Sequence, residues 1–486
     1  MKSIKNISKK ERVMIFSYTK QPERICALAA KVSNTPKTAI KNIFSPYNAE
    51  KDRELISKVI KLGHISIIEH ISFTFAFENV SVFFEQFMIE HRLISLTIKS
   101  RRFVDFSKSG YYMPNFRFTD EESEKKYKRK SENLYLEHMN WLFSNYEYLV
   151  KRGVPKEDAR FILPYSFFSS FYCTVNAREL AHILFKGIYG SHKEYQEINE
   201  ICNDILNKVK AICPTVFNDL SILEKGEYYK NNEINKLIIS NNVSRKCISK
   251  CELINYTKNP EKTVVISAII KDKLCSFKTA NELVRKNKKE IKKILKSVIL
   301  SDNPRELEQI YFTYKLSGLS LAGVTHLVRH RIQSIIIPQF TKILDNKRYI
   351  VPGTVKKNNE LFAKYNIIWK KHKALLKTFK KWRIFKEDLI YMNLSGDLID
   401  VVTTMNGREL LKFFKQRTCR RAQWEIRIFA LQMLINAMKT APNIFLYAGP
   451  SCYTRGYCCE GNFGCGNLNK SQKFFKSLNK EGVKEK

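Results

Sequence analysis

No stretch of this 486-residue chain approaches the roughly 20 consecutive apolar residues that a membrane-crossing helix needs, so no such helix is expected. The opening Met1-Lys2-Ser3-Ile4-Lys5 is basic but has no apolar run behind it, so no secretory leader is expected either. A disulfide framework is missing too. There are 12 cysteines, but Cys26, Cys173 and Cys202 stand isolated in apolar segments, as reduced thiols of a cytoplasmic protein do. Acid is scarce: 47 Asp and Glu face 85 Lys and Arg, a formal net charge of +38. That excess points to anionic partners such as nucleotides, phosphorylated cofactors or nucleic acid. It is, however, lysine-heavy and spread along the whole chain, which describes a solvated surface as readily as a nucleic-acid groove.

What is present suits globular packing. Hydrophobic residues make up 44% and aromatics 12%, and the length fits two to three domains. The chain also repeats itself. Residues 14–23, Met-Ile-Phe-Ser-Tyr-Thr-Lys-Gln-Pro-Glu, return as residues 252–261, Glu-Leu-Ile-Asn-Tyr-Thr-Lys-Asn-Pro-Glu. Ser72-Phe73-Thr74-Phe75 returns as Tyr311-Phe312-Thr313-Tyr314, His91 as His330, and Asn176-Ala177-Arg178-Glu179-Leu180 as Asn406-Gly407-Arg408-Glu409-Leu410. Four collinear matches at nearly constant spacing imply a tandem duplication of a domain of roughly 220 residues. The expected division is a first copy over 1–222, a linker over 223–246 rich in Lys, Asn, Glu and Ser, a second copy over 247–448, and a Gly- and Cys-rich segment with a basic tail over 449–486.

Within a copy the pattern is α+β. Arg12 to Tyr18 reads as a strand ending at a turn with Pro22, followed by a short helix over Pro22–Val32. Ile71 to Asn79 reads as a second strand, and Val82 to His91 as a helix. Thr119-Asp120-Glu121-Glu122 has the form of a capping box with Thr119 as cap, opening a long charged helix to about Arg152. Two more helices follow over Glu179–Phe185 and Glu194–Ile212. Cys247 and Cys251 have the spacing of one helical turn and read as core thiols.

The chemistry gathers at Arg329-His330-Arg331-Ile332-Gln333-Ser334, where two guanidiniums flank an imidazole in a compact donor cluster suited to an anion. The first copy answers with His91-Arg92-Leu93-Ile94-Ser95, continuing to Ser100-Arg101-Arg102. Both resemble the Arg-His-Arg…Ser…Arg signature of the flavin-dependent thymidylate synthases. Gly63-His64-Ile65-Ser66 followed by Glu69-His70, Ala159-Arg160-Phe161-Ile162-Leu163-Pro164, both Asn-x-Arg-Glu-Leu segments, and Arg417 followed by Ala422-Gln423-Trp424-Glu425-Ile426 resemble further segments of that family. The resemblance runs from residue 12 to about residue 445.

That resemblance implies two tandem copies of the flavin-dependent thymidylate synthase fold, a mixed or antiparallel sheet with long helices, forming a pseudo-dimer. It implies methylation of dUMP to dTMP with methylenetetrahydrofolate as carbon donor, FAD as redox carrier and NADPH as reductant, without a cysteine nucleophile. Carried over by position, Gln86, Ser100, Arg102 and Arg160 are expected to bind dUMP, with Arg417 on the uracil as the catalytic group. Ser66, His91, Arg92, Asn176, Arg178, Arg329, His330, Arg331, Asn406 and Arg408 are expected to hold FAD. The copies depart from the pattern in complementary ways. The first has Glu90 for the leading arginine and Gly187 where the second has Arg417; the second has Gln339, Thr341 and Ile390 where the first has Ser100, Arg102 and Arg160. The family's Asn-Glu pair is Thr97-Ile98 in one and Ile336-Ile337 in the other. Sites assembled from both copies, in a homodimer acting as a pseudo-tetramer, are expected.

Other readings stay open from the residues. His64 and His70 read equally as core histidines, Arg160 as an interior salt-bridge arginine, and Trp424 and Ile426 as packing. Cys452, Cys458, Cys459 and Cys465 lie among glycines in spacing unlike a standard zinc finger, and no metal ligand is assigned. A repurposed flavin- or nucleotide-binding homologue and a basic nucleic-acid-binding protein remain as rival functions. Nucleic acid is not required by the leading reading.

Overall fold

The computed structural model describes residues 12–223 and 251–484; the expected linker beyond Leu223, and Cys247, lie outside them. Each copy builds one four-stranded sheet. The first holds β1 (Val13–Tyr18), β2 (Ser72–Ser81), β3 (Ile94–Ile98) and β4 (Phe168–Asn176) in the order β1-β2-β4-β3. The second holds β5 (Cys251–Tyr256), β6 (Tyr311–Ser320), β7 (Gln333–Ile336) and β8 (Leu398–Asn406) in the order β5-β6-β8-β7. Every strand pair is antiparallel, so the mixed alternative falls away. Cys251 is buried as expected but opens a strand rather than sitting on a helix.

The repeat is exact in register. Ser72 pairs with Asn176, and Tyr311 with Asn406, so segments that matched separately in the sequence lie side by side. On the same face the hydroxyls of Thr74 and Thr174 meet at 3.1 Å, and those of Thr313 and Thr404 at 2.9 Å. Both central strands carry a bulge at the same place, with Asn79 at φ 53° and Gly318 at φ 73°. These are the two residue types that enter the left-handed region at least cost. Phe73, Phe75 and Phe77 alternate inward from β2 and form the core beneath the first sheet.

By compactness the chain divides into two units that cut across the repeat. The first comprises the described residues 12–223 with Phe340–Lys347 and Val351–Gly396; the second comprises 251–339, Arg348–Ile350 and the described residues from Asp397 onward. In the first unit the long helix Glu121–Lys151 packs against the second copy's long helix Asn359–Lys381. Its cap is Asp120, whose Oδ1 accepts the Ser123 N–H at 2.8 Å, rather than Thr119. Thr119 is drawn into extended pairing instead, its N–H donating to Arg383 O at 3.0 Å. A local two-fold joins the copies in this unit: Tyr165 N–H donates to Asn393 O at 2.7 Å, and Ser395 N–H to Leu163 O at 2.9 Å.

Strand β2 runs straight into the helix Val82–Ile89, and Ser81 caps it, its Oγ accepting the Phe84 N–H at 3.0 Å. Ser81 also donates its backbone N–H to Glu197 Oε1 at 2.8 Å and its hydroxyl to Glu197 Oε2. The second copy repeats this. Ser320 caps Leu321–Leu327 and donates its N–H and hydroxyl to Glu425 at 2.7 and 2.5 Å. Each carboxylate sits in the first turn of a 17-residue helix, Gln196–Ile212 or Trp424–Thr440.

Burial pushes the Glu197 carboxyl up from 4.5 to about 7, against the pull of the Ser81 donors. A raised acid contributes stability that is complete below the unfolded value and is lost as pH rises through the folded one. Urea midpoints are therefore expected to fall between about pH 5 and 8. Glu197→Gln, whose amide can still accept the Ser81 N–H, flattens that slope; an unchanged slope in the variant contradicts the assignment.

Candidate functional site

In the first unit the helix Val82–Ile89 delivers the turn that carries His91 and Arg92. His91 is buried with Nδ1 3.5 Å from Glu179 Oε1, and the rings of Phe87 and His182 pack against it. Burial pulls its pKa below the ordinary value, which favours the neutral ring. Arg92 is exposed. Gln86 is buried; its Nε2 donates to Glu90 Oε1 at 2.7 Å, while its Oε1 has no hydrogen-bond partner among the described residues. An orphaned buried amide oxygen is an acceptor that a ligand donor can satisfy.

Arg102 and Arg160 meet at Glu157, with Ser100 beside Arg102. Arg102 N–H donates to Ser100 Oγ at 3.3 Å, Arg102 Nε–H to Glu157 Oε2 at 2.6 Å, and Arg160 Nε–H to the Glu157 carbonyl at 3.1 Å. Arg160 is buried, Arg102 half-buried. The intervening Arg101 turns the other way, into an ion pair with buried Glu85 at 2.7 Å, and Ser169 donates to the same carboxylate at 2.5 Å. The second copy has Val324 and Phe340 at those two places, both buried and apolar, so the ion pair itself has no counterpart there. Ile390, at the place of Arg160, is likewise fully buried.

Ser66, His64 and His70 are exposed on or beside the turn Ile65–His70, so neither histidine is a core residue. Asn176 caps the helix Ala177–Ile188, accepting the Glu179 N–H at 2.9 Å, and Arg178 pairs with Glu69 at 2.5 Å. In the second unit Asn406 accepts the Glu409 N–H at 2.8 Å, and Arg408 pairs with Glu308 at 2.5 Å. Arg329 and Arg331 are exposed on either side of buried His330. Trp424 is half-buried and Ile426 fully buried, as packing residues are.

His330 is held at both nitrogens. Nδ1 lies 2.9 Å from Glu409 Oε1, and Arg417 Nε–H donates to Nε2 at 3.0 Å. The first copy has no counterpart to Arg417. A Cβ at Gly187 would run into Cys202 Sγ, so any side chain there requires Cys202 to shift. Burial also pushes the Cys26 and Cys173 thiols up to about 12, leaving them protonated and poor nucleophiles. Burial raises the thiols of Cys419, in the second copy, and of Cys452, in the tail, above the ordinary cysteine value. Among the described residues no group of three or more His, Cys, Asp or Glu is arranged to hold a metal ion.

In the sequence, roles fall to the basic residues but to none of the acids that hold them, Glu157 on Arg102, Glu179 beside His91 and Glu409 on His330, nor to Glu197 and Glu425, which hold the capping serines. One signal was available, since Glu179 and Glu409 recur inside the Asn-x-Arg-Glu-Leu repeat and Glu197-Ile198 answers to Glu425-Ile426.

A family model described as thymidylate synthase complementing protein matches residues 14–215 and again 252–443. The chain belongs to that family, in two tandem copies. A flavin-dependent thymidylate synthase of Clostridium tetani is 34% identical over 246 residues, covering 46% of this chain and 96% of the relative. One from Thermococcus onnurineus is 32% identical over 228 residues, covering 44% of this chain and 92% of the relative. A relative used almost whole matches less than half of this chain, as a duplication requires. A solved UMP/dUMP methylase PolB of Streptomyces cacaoi aligns at 22% identity with a TM-score of 0.34, covering 42% of this chain and 92% of its own, and adds nothing to the assignment.

The tight packing at Gly187 is testable by urea unfolding. Gly187→Ala is expected to cost about 1–3 kcal/mol by overpacking. Cys202→Ala in the same chain should recover much of that loss; an equal loss in both backgrounds contradicts the steric reading.

Proposed function

We propose that this chain is a flavin-dependent thymidylate synthase that methylates dUMP to dTMP, with methylenetetrahydrofolate as carbon donor and NADPH as reductant. The observation that carries the reading is the meeting of the Ser100–Arg102 turn with Arg160 at Glu157. Arg160 lies far along the sequence from Ser100 and Arg102, and together they make a hydroxyl and two guanidiniums suited to a phosphate. Bound FAD supplies the redox chemistry. The residues of this chain bind and orient: Ser100, Arg102 and Arg160 take the nucleotide phosphate, Gln86 offers its unsatisfied amide oxygen, and Arg417 takes the uracil. Arg329, Arg331 and Arg408 offer their guanidiniums to the cofactor's phosphates, with Ser66, His91, Arg92, Asn176, Arg178, His330 and Asn406 as the remaining contacts the family pattern assigns to FAD.

The division of labour supports specialised copies. Only the first carries the phosphate set, and only the second carries Arg417, so a chain provides fewer complete residue sets than two unfused relatives. The exposed faces of the sheets favour a dimer of chains. Met14, Phe16, Tyr18 and Tyr172 are exposed on the first, and Ile254, Tyr256 and Ile336 on the second. Exposed apolar groupings of this kind mark association surfaces. A weakened homologue is favoured by one observation, the replacement of the Asn-Glu pair by Thr97-Ile98 and Ile336-Ile337.

Tritium release from labelled dUMP, dependent on folate and NADPH under anaerobic conditions, tests the activity; a yellow protein that binds dUMP without release is the weakened homologue. Ser100→Ala or Arg102→Ala is expected to weaken dUMP binding by about tenfold or more, since each removes a bond to a charged group. Gln339→Ala and Thr341→Ala should leave it unchanged. Equal losses from both sets would refute specialisation.

A further inference from the structure

The motif treats His330 as one of several cofactor contacts. Its surroundings point elsewhere. It is buried, its ring packs edge-on against Phe413 at 4.9 Å, and both ring nitrogens are engaged by one helix, Gly407–Arg417. Glu409 in the first turn of that helix reaches Nδ1, and Arg417 in its last turn reaches Nε2. Arginine is charged at all ordinary pH and its Nε–H can only donate, so Nε2 must present its lone pair. The ring proton therefore sits on Nδ1, where the Glu409 carboxylate accepts it.

The loop holding His330 is pinned independently. Gln333 Nε2 donates to Leu327 O at 2.6 Å, and its Oε1 accepts the Thr403 hydroxyl at 2.7 Å. Glu409 is fixed in turn by the Asn406 cap at its amide. An acid anchored at the helix start, an imidazole anchored by the sheet and a guanidinium at the helix end thus form one line of hydrogen bonds. The restraint acts at Nε, the nitrogen next to the flexible stem, and so sets the plane of the Arg417 guanidinium. The first copy has only the remnant, His91 at 3.5 Å from Glu179 with Gly187 in place of the arginine.

We propose that Glu409 is a positioning residue that acts through His330, selecting the tautomer whose Nε2 orients Arg417 toward the pyrimidine of the substrate. The proposal rests on the reading above that Arg417 meets the uracil ring. It moves His330 from the cofactor clamp to the substrate side. Its action is on orientation alone; no proton is transferred along the line.

The test uses the full chain loaded with FAD, in wild type, Glu409→Gln, Glu409→Ala, Arg417→Ala and the double variant Glu409→Ala/Arg417→Ala. dUMP affinity is read by calorimetry and FAD content by absorbance. The amide oxygen of Glu409→Gln still accepts the Nδ1 proton, so affinity is expected to stay within about threefold, while Glu409→Ala loses about tenfold or more, with FAD content unchanged. In the Arg417→Ala background Glu409→Ala is expected to add nothing. A loss in that background as large as in wild type, or a loss of FAD in step with dUMP, overturns the proposal. A second readout does not need dUMP. With 15N-labelled histidine, and His330→Gln to assign the signal, His330 should show a protonated Nδ1 and an accepting Nε2 in wild type, a weaker preference in Glu409→Ala, where Arg417 still donates to Nε2, and none in the double variant Glu409→Ala/Arg417→Ala. A proton on Nε2 in wild type overturns the proposal by itself. A wild-type chain that shows the expected tautomer but neither binds dUMP nor releases tritium instead sinks the functional reading on which the proposal rests.

Discussion

Both copies depend on one buried contact, the glutamate that takes the backbone and side-chain protons of a helix-capping serine. Glu197 holds Ser81 and Glu425 holds Ser320. The serine is the hinge between the central strand and the short helix that follows, and that helix ends at the turn carrying His91 or His330. The glutamate belongs to a different helix, remote in sequence. One carboxylate therefore fixes where a strand stops, where a helix starts and, at the far end of that helix, where an imidazole stands. Placing such a group in the interior is costly unless every lone pair is used, and two donors from a single residue use them economically.

The scaffold was legible in the sequence because strands and repeats are written in local patterns. Alternating aromatics in β2 and the recurrence of Thr74 as Thr313 give the sheet and its duplication directly. The cap of the long helix was misplaced by one residue because Thr119 with Glu122 fits a capping box, and only the pairing of Thr119 with Arg383 shows that the helix starts one residue later. The division into compact units was not legible at all. Nothing local to Asn359–Lys381 says that it packs with a helix more than two hundred positions earlier; the stacking of Trp382 on Tyr127 at 4.8 Å is a tertiary fact.

The candidate site was legible in its cations and opaque in its acids. Arg102, Arg160, Arg408 and Arg417 stand in recognisable motifs, but a motif names a residue without saying which partner orients it. Glu157 binds Arg102 with its side chain and Arg160 with its carbonyl, a double use that no spacing rule anticipates. Gly187 carries the same lesson. In the sequence it is only the lack of an arginine; in the structure the neighbouring helix, through Cys202, has closed into the space a side chain would need. A side chain at 187 therefore requires Cys202 to move as well.

The reciprocal backbone bonds of Tyr165 with Asn393 and of Ser395 with Leu163 bear on why the two copies share a chain. Backbone bonds are blind to side-chain identity, so such a seam lets like halves join as readily as unlike ones. Two separate polypeptides with this seam would sort into three kinds of pair, and only the mixed pair would carry both residue sets. Tethering the halves raises their mutual effective concentration far above that of any free competitor. Covalent linkage thus enforces heterotypic pairing in a fixed one-to-one ratio, and each half is released from having to work beside a copy of itself.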